Sequence, residues 1–212
     1  MRKSINDCRL YLILDSDVAE YDRLFSVAKE SIKGGVDVFQ WRDKSARTSD
    51  SLAFARKLRK MINPAKALFI VNDRVDLALA AQADGVHLGQ DDLPLIAARK
   101  ILPPGGLVGI SCQTLEHSRR AQRQGADYIG FGSVFKTLTK PGRVPMDLKI
   151  LRTVVKKTKI PLFAIGGITA LNIQQLTSIG VRRVAVCRDI CLARDVRAAA
   201  SDLKKNVVVH GP

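Results

Sequence analysis

The sequence predicts an α/β fold, a single (β/α)8 TIM barrel, and three observations support this prediction. Eight apolar runs rich in β-branched residues alternate along the chain with amphipathic segments. The length of 212 residues lies at the short end of the range for such a barrel. An open doubly wound sheet is the competing architecture, but it usually has fewer strands and a Gly-x-Gly-x-x-Gly motif, and no such motif follows the first run.

The predicted strands are short apolar runs bounded by polar or glycine-containing segments. They cover residues 10–15, 36–42, 67–73, 85–89, 107–112, 128–134, 161–167 and 182–188. The segments between them have the periodicity of helices that pack one face against a sheet. Hydroxyl side chains predict helix caps at Thr48 or Ser49, at Thr114 and at Thr169. Glycines predict helix ends at Gly34, Gly125 and Gly180.

Neither a linker, a low-complexity tract nor a strong repeat divides the chain, so residues 1–212 are expected to form one domain. A hydrophobic content of 46% is enough for a full core. The chain lacks an apolar run of about 18 residues, and its first residues do not resemble a signal peptide. We therefore expect a cytoplasmic protein that does not span a membrane.

The formal net charge is +15, which raises the question of an anionic partner. The basic residues are spread over several predicted helices and are not interleaved with aromatic clusters, as a nucleic-acid platform would require. A solvated basic surface is the simplest interpretation, and a field that attracts anionic substrates is the second. Nucleic acid is therefore not the expected partner.

Cysteine and histidine spacing does not predict a zinc site or a disulfide framework. The four cysteines form no CxxC pair, and the three histidines share no ligand spacing. Cys112 and Cys187 lie in apolar runs, so buried thiols are the favoured interpretation for both.

Polar residues at the ends of the predicted strands point to a binding site. In such barrels the chemistry lies at the carboxyl ends of the strands, where the βα loops converge. With a period of two, Gln40, Arg42 and Lys44 share one face of the second strand. Phe39 and Trp41 share the other, which suits packing against helices. An amide and two cations are thus predicted at the barrel mouth.

Carboxylates follow the next two strands. Asn72 and Asp73 end the third predicted strand, and Asp91 and Asp92 come just after the fourth. Because adjacent strands lie about 5 Å apart, two of these carboxylates could share one cation, and an oxygen ligand set suggests Mg²⁺. Helix capping by Asp73 and Asp92 is the alternative, and the spacing does not decide between the two.

Three further strand ends add groups that suit anions. Ser111 ends the fifth strand, and Thr137, Thr139 and Lys140 lie in the loop after the sixth. The Gly166–Gly167 pair after the seventh strand would let backbone N–H groups approach an anion, at a position where barrels commonly bind phosphate. This is more positive charge than one monophosphate needs. It fits a diphosphate with Mg²⁺ and a second phosphorylated substrate.

Five segments together carry a resemblance to a known family. They are FQWRDK, IVNDRVDLALAAQADGVHLGQDDL, GISCQT, GADYIGFGSVFKTLTKPG and AIGGIT. Over residues 10–203 the chain resembles the thiamine-phosphate synthase (thiamine-phosphate pyrophosphorylase) family, with HLGQDD and TLTKPG as the most specific parts. The resemblance implies a (β/α)8 barrel that joins 4-amino-5-hydroxymethyl-2-methylpyrimidine diphosphate to hydroxyethylthiazole phosphate. The products would be thiamine phosphate and diphosphate.

The resemblance also implies roles for individual residues. Gln40 would contact the pyrimidine. The diphosphate would be held by Arg42, Lys44, Asn72, Ser111 and Lys140. Of these, Arg42, Lys44, Ser111 and Lys140 would be catalytic because they stabilise the departing diphosphate. Mg²⁺ would be bound by Asp73 and Asp92. The thiazole phosphate would be held by Thr137, Thr139, Gly167 and the chain around Arg188 and Asp189.

The turn after the eighth strand departs from the family pattern. The family usually has a small Ser-Ala-Ile-like turn there, whereas this chain has Arg188-Asp189-Ile190. Arg188 could contact the thiazole phosphate, pair with Asp189, or face solvent. Two other functions stay open: a thiazole tautomerase of the same superfamily, and a non-enzymatic basic barrel that binds nucleic acid or a regulatory partner. The oligomeric state is also open, a homodimer included.

Overall fold

The computed structural model describes residues 3–138, 142 and 144–208. Eight parallel strands pair in chain order and close into a barrel through the pairing of the first with the last, which confirms the predicted fold class. The strands are β1 Leu10–Asp15, β2 Val38–Arg42, β3 Leu68–Asn72, β4 Gly85–Leu88, β5 Leu107–Cys112, β6 Tyr128–Phe131, β7 Leu162–Ile165 and β8 Val184–Val186. Most are shorter than predicted because the Gly- and Asp-containing ends of the runs belong to loops.

Helices surround the barrel. They are α1 Tyr21–Lys33, α2 Thr48–Ile62, α3 Val75–Ala80, α4 Leu95–Ile101, α5 Leu115–Arg123, α6 Leu148–Lys157, α7 Ile173–Thr177, α8 Arg188–Cys191 and α9 Val196–Val208. Within residues 3–138, 142 and 144–208, none of the helices has the length and apolar character needed to cross a bilayer.

The predicted helix starts are partly correct. Thr114 caps α5, and its hydroxyl accepts a hydrogen bond from the His117 N–H at 3.1 Å. The predictions at Thr48 or Ser49 and at Thr169 are wrong. Helix α2 already includes Thr48 because the Asp43 carboxylate organises the preceding turn by accepting from the backbone N–H groups of residues 45 and 46. The N-cap of α7 is Asn172.

The predicted helix ends fit better. Gly34 is the C-cap of α1. Gly125 and Gly180 lie just beyond α5 and α7 with φ values of 84° and 94°, the left-handed region in which a helix commonly ends.

Two apolar layers position the site. The larger lies between strands and helices. In it Trp41 of β2 packs on Phe54 of α2 with ring centroids 4.6 Å apart and donates a hydrogen bond to Ser51 at 2.9 Å. The smaller fills the barrel interior, where Tyr11, Tyr128 and seven apolar side chains pack beneath the mouth, together with the buried Cys8. Since these side chains alternate with outward ones along each strand, the inward groups of β2 lie above this layer, as predicted.

Candidate active site

A cavity of about 310 Å³ opens at the carboxyl ends of the strands. Eight of the predicted site residues line it: Gln40, Arg42, Asn72, Ser111, Thr137, Gly167, Arg188 and Asp189. Lys44, Asp73 and Asp92 are not part of this lining and form a separate cluster, described below. Thr139 and Lys140 lie outside the described residues. Most of the residues that were predicted from their positions at strand ends therefore lie around this one cavity.

Arg42 is held by two carboxylates from the loop and end of β1. Asp15 is the register partner of Arg42 in the β1–β2 ladder and is completely buried. The Arg42 Nη1 lies 2.6 and 2.7 Å from the two Asp15 carboxylate oxygens and 2.9 Å from Asp17 Oδ2. Burial opposes the charge of Arg42, but these carboxylates raise its pKa overall. The arginine is thus a fixed guanidinium at the cavity wall, held by one buried and one exposed carboxylate.

A chain of hydrogen bonds crosses the base of the cavity. Gln40 Nε2 donates to the Tyr11 hydroxyl at 2.8 Å, and that hydroxyl lies 3.1 Å from the hydroxyl of Tyr128. The Tyr128 oxygen is 3.3 Å from His87 Nδ1, and His87 Nε2 is 3.0 Å from Ser111 Oγ. The chain joins β2, β1, β6, β4 and β5 in that order, so it links two predicted substrate-binding residues across the barrel.

Only the first donor of this chain is fixed by its chemistry, because the Gln40 amide nitrogen can donate but not accept. Burial raises the pKa of both tyrosines above its ordinary value, so both remain protonated. Either tyrosine hydroxyl can donate to the other, and the His87 ring nitrogens donate or accept according to the tautomer. The contact with Tyr11 leaves the Gln40 amide oxygen as an acceptor toward the cavity.

Two glycines make room for this chain. A Cβ at Gly109 of β5 would lie 2.1 Å from Cζ of Tyr128, and one at Gly130 of β6 would lie 3.2 Å from Cε1 of His87. Any side chain at position 109 would therefore displace the Tyr128 ring. The glycines of GISC and YIGFG thus have a packing role within the barrel.

The carboxylates after β3 and β4 meet at the rim. The Asp73 and Asp92 carboxyl groups lie close enough to interact, and the pKa of Asp92 is raised by its burial and then by Asp73. Lys44 Nζ lies 3.1 Å from Asp73 Oδ2, and Asp92 Oδ2 accepts from the Gly89 N–H at 2.6 Å. Two carboxyl groups and an ammonium group therefore share one corner of the mouth.

The capping alternative for these aspartates is wrong. Helix α3 has Arg74 as its N-cap and α4 has Pro94, and neither helix has a side-chain cap hydrogen bond. Asp73 instead has a φ of 58°, an uncommon conformation for a residue other than glycine. Among the described residues there is no group of three or more His, Cys, Asp and Glu side chains that could hold a metal. Within the described residues the corner offers two carboxylates, so a bound metal would need further ligands from elsewhere.

The opposite wall is built from the loops after β6 and β7. Gly166 and Gly167 have φ values of 107° and 62°, and a Cβ at Gly167 would lie 2.2 Å from the Lys136 carbonyl oxygen. The backbone of the β6 loop packs directly on this pair, with the Phe135 N–H donating to Gly166 O at 3.0 Å. Asn172 fixes the turn that follows: its Nδ2 donates to the Gly167 carbonyl at 2.8 Å. Only glycine fits this close approach.

Arg188 and Asp189 complete this wall. The Asp189 carboxylate accepts from the Ala170 N–H at 3.3 Å, and burial raises its pKa. Within the part of the chain that the structure describes, no carboxylate lies within 4.0 Å of the Arg188 guanidinium. The predicted alternative in which Arg188 pairs with Asp189 is therefore not the observed arrangement.

The family model described as thiamine monophosphate synthase (TMP-TENI) matches residues 10–190. The chain belongs to this family. Thiamine-phosphate synthases of Fusobacterium nucleatum subsp. nucleatum and Methanospirillum hungatei JF-1 are 39% and 40% identical to it. The alignments cover 95% and 96% of the chain and 98% and 99% of those two relatives.

A solved structure supports the same relationship. The thiamine phosphate pyrophosphorylase from Pyrococcus furiosus superimposes with a TM-score of 0.86 and 39% sequence identity. The match covers 95% of this chain and 96% of that one. The resemblance to the thiamine monophosphate synthase family that the sequence segments carried is thereby confirmed.

The polar residues of this family member's cavity that were not singled out from its sequence include Asp15, Tyr11, Tyr128 and His87. Each faces inward by the same period-two rule that identified Gln40. Asp15 closes the apolar run LYLILD, and the tyrosines are common core residues, so residue type alone did not mark them. His87 alternates with the outward Val86 and Leu88, which is the signal that could have placed it in the cavity.

Proposed function

We propose that this member of the thiamine monophosphate synthase family is a transferase that condenses 4-amino-5-hydroxymethyl-2-methylpyrimidine diphosphate with hydroxyethylthiazole phosphate. The products are thiamine phosphate and diphosphate. One observation carries the proposal beyond family membership: a single cavity has two different polar walls. Groups from β2 to β5 form one wall, and the loops after β6, β7 and β8 form the other. Two phosphorylated substrates can thus face each other.

The pyrimidine diphosphate is assigned to the wall formed by β2 to β5. The Gln40 amide oxygen, left free by the hydrogen-bond chain, accepts from the exocyclic amine of the pyrimidine. Asn72 and the Ser111 hydroxyl donate to the diphosphate oxygens. Arg42 makes its protein contacts through Nη1, so its remaining guanidinium nitrogens are available to the diphosphate within the described site. Lys44 at the rim adds a second cation.

Asp73 and Asp92 are the residues that would hold Mg²⁺. The fit rests on the donor set, two neighbouring carboxyl groups. The pKa of Asp92 is raised by burial and then by Asp73, and a divalent cation would favour the charged form of both groups. Mg²⁺ commonly uses one or two carboxylates together with substrate phosphates, which explains why a larger protein cage is not required. When bound, the ion would neutralise charge on the diphosphate leaving group.

The thiazole phosphate is assigned to the second wall. Gly166 and Gly167 line this part of the cavity with a backbone of positive φ, a geometry in which successive N–H groups can face an anion. The hydroxyl of Thr137 and the guanidinium of Arg188 line the same part of the cavity. Arg188 has no carboxylate partner among the described residues, so its fork can bind the phosphate in a bidentate manner.

The chemistry follows from the charges that this chain supplies. The electron-rich aminopyrimidine stabilises positive charge on its methylene, so the C–O bond to the diphosphate breaks early and the electron pair leaves with the diphosphate. Arg42, Lys44 and Ser111 stabilise that developing charge in fixed positions. The thiazole nitrogen then forms the new C–N bond with its lone pair. A general base is not needed, and His87 accordingly acts within the hydrogen-bond chain.

The test is direct. The protein is incubated with both substrates and Mg²⁺, and thiamine phosphate and released diphosphate are quantified against reactions that lack one substrate. The expected result is equimolar formation of both products. Failure to form thiamine phosphate, together with Mg²⁺-independent isomerisation of a thiazole tautomer, would overturn the proposal in favour of the tautomerase.

A further inference from the structure

The floor of the barrel, where the strands begin, carries a repeated arrangement. The residues immediately before β2, β4 and β6 are Asp37, Asp84 and Asp127. Each carboxylate accepts a hydrogen bond from a backbone N–H of the preceding strand. The donors are Leu10 at 3.0 Å, Phe69 at 2.8 Å and Val108 at 2.7 Å, in the same order. Three of the four strand pairs thus begin with the same carboxylate bridge.

Each of these carboxylates also has a cationic partner. Asp37 lies between Lys3 and Lys204. Arg59 Nη1 is 3.0 Å from Asp84, and Arg99 Nη2 is 2.7 Å from Asp127. At these three positions, the floor therefore has a negative group that joins two strands and is balanced by protein cations.

The fourth position has the opposite charge. Arg183 precedes β8, and the pairing of Ala164 with Val184 sets it opposite Phe163, just as Asp84 lies opposite Phe69. The Arg183 Nη2 donates to the Asn6 carbonyl at 2.8 Å, but its Nε is buried without a hydrogen-bond partner among the described residues.

A second arginine lies beside it. The Arg9 carbonyl accepts from the Val184 N–H at 3.0 Å, so Arg9 and Arg183 begin neighbouring strands. Within the part of the chain that the structure describes, the Nη1 of Arg9 is also buried without a hydrogen-bond partner. The pKa of Arg183 is lowered by burial and then by the charge of Arg9. Two cations are therefore held together with unsatisfied donors, an unfavourable arrangement unless an acceptor is supplied.

The protein does not supply that acceptor within its described part. Asp37 is already shared by two lysines. Asp7 is close enough to act on Arg183 electrostatically, but it is exposed and forms no ion pair within 4.0 Å with either arginine among the described residues. An anion from solution would take the place of the missing fourth carboxylate.

We propose that Arg9 and Arg183 form a binding site for a small tetrahedral oxyanion, of the class of inorganic phosphate, at the barrel floor. The planar donor forks of two guanidinium groups match the oxygens of such an anion. The site lies at the end of the barrel opposite the cavity and does not depend on the proposed reaction. Its ligand would stabilise the closure of β8 on β1.

Thermal unfolding in phosphate and in chloride at equal ionic strength and pH tests the site. Arg183→Asp introduces at the fourth position the carboxylate that the other three positions carry. Arg182 is an exposed neighbour, so Arg182→Asp is the control with the same change in charge. At a phosphate concentration of about 100 times Kd, one site should raise the Tm by several degrees. We expect Arg183→Asp to lose at least half of the wild-type phosphate increment, and Arg182→Asp to keep it. In chloride, Arg183→Asp should unfold at a higher temperature than Arg182→Asp.

Arg183→Gln keeps the test decisive if the aspartate variant does not fold. It removes the charge but keeps a long polar side chain, and it should lose the phosphate increment in the same way. Turnover depends on the cavity at the opposite end of the barrel, so it should stay at the wild-type level in all variants of the barrel floor. Phosphate bound in the cavity stabilises every variant equally and cancels in the comparison. Equal phosphate increments in the wild type, Arg183→Gln and Arg182→Asp would overturn the proposal.

Discussion

Replacing Asp92 with asparagine should make the metal-free protein more stable and the enzyme much less active. The charged form of Asp92 is disfavoured by burial and by the adjacent Asp73 carboxyl, which together raise the pKa of Asp92. The amide oxygen of asparagine can still accept from the Gly89 N–H, now at 2.6 Å, and the Lys44–Asp73 ion pair at 3.1 Å is untouched. The substitution thus removes repulsion while keeping the local contacts.

The expected gain is modest because the group is partly exposed. A like-charge contact of this kind is worth on the order of 1 kcal/mol in solvent-screened positions. For a chain of this length that corresponds to a rise in Tm of about 2–4 °C. A raised pKa means that the folded state holds its proton to higher pH than the unfolded state. The wild type therefore loses stability as pH rises through the carboxyl range, and the gain from Asp92→Asn is present at neutral pH and vanishes in acid.

Calorimetric unfolding in EDTA at pH 7 and at acidic pH measures this difference. Asp91→Asn is the matched control, because Asp91 is exposed in the same loop. Adding Mg²⁺ with diphosphate should then stabilise the wild type and Asp91→Asn but not Asp92→Asn, and turnover of Asp92→Asn should fall by about 10²–10³-fold. The assignment is wrong if Asp92→Asn is less stable than the wild type in EDTA, or if it turns over at the wild-type rate.

Three further substitutions test the two walls. Tyr128→Phe removes the hydroxyl between Tyr11 and His87 and should cost about 1–3 kcal/mol of unfolding free energy. Steady-state kinetics should show a higher KM for the pyrimidine diphosphate alone. Unchanged KM values would show that the hydrogen-bond chain does not contribute to substrate binding. Gly109→Ala should give the same kinetic signature and cost about 1–3 kcal/mol, because its Cβ would meet the Tyr128 ring at 2.1 Å; wild-type stability in chemical denaturation would contradict this. Arg188→Ser should raise the KM for the thiazole phosphate only, whereas an unchanged or lower value would make Arg188 a bystander.

The sequence was most informative where periodicity and position decide structure. The alternation in FQWRDK correctly placed Gln40 and Arg42 inside the barrel and Trp41 against the helices. The Gly166–Gly167 pair was predicted at the end of β7, and both glycines adopt positive φ values there. These features depend on the two-residue repeat of a strand and on the conformational freedom of glycine, which are local properties.

Contacts between side chains of different strands could not be predicted from the sequence in the same way. Arg42 was predicted as a cation at the barrel mouth, but its partner Asp15, placed beside it by the β1–β2 register, was not. The Tyr11–Tyr128–His87 chain depends on the space above Gly109 and Gly130, which lie on other strands than the residues they accommodate. Such contacts arise only when the barrel closes. Residue type and spacing along one strand therefore identify the cavity wall but do not identify its internal partners.

The ion pairs at the mouth explain how a strongly basic chain can hold cations ready for an anionic substrate without large repulsion. Arg42 is balanced by Asp15 and Asp17, and Lys44 by Asp73. Only one of these carboxylates, Asp15, is completely buried and unable to turn away into solvent. We therefore expect Arg42 to keep its position when a substrate binds. In the proposed binding mode, Lys44 would exchange Asp73 for a diphosphate oxygen, so the rim of the cavity would rearrange while its base would not.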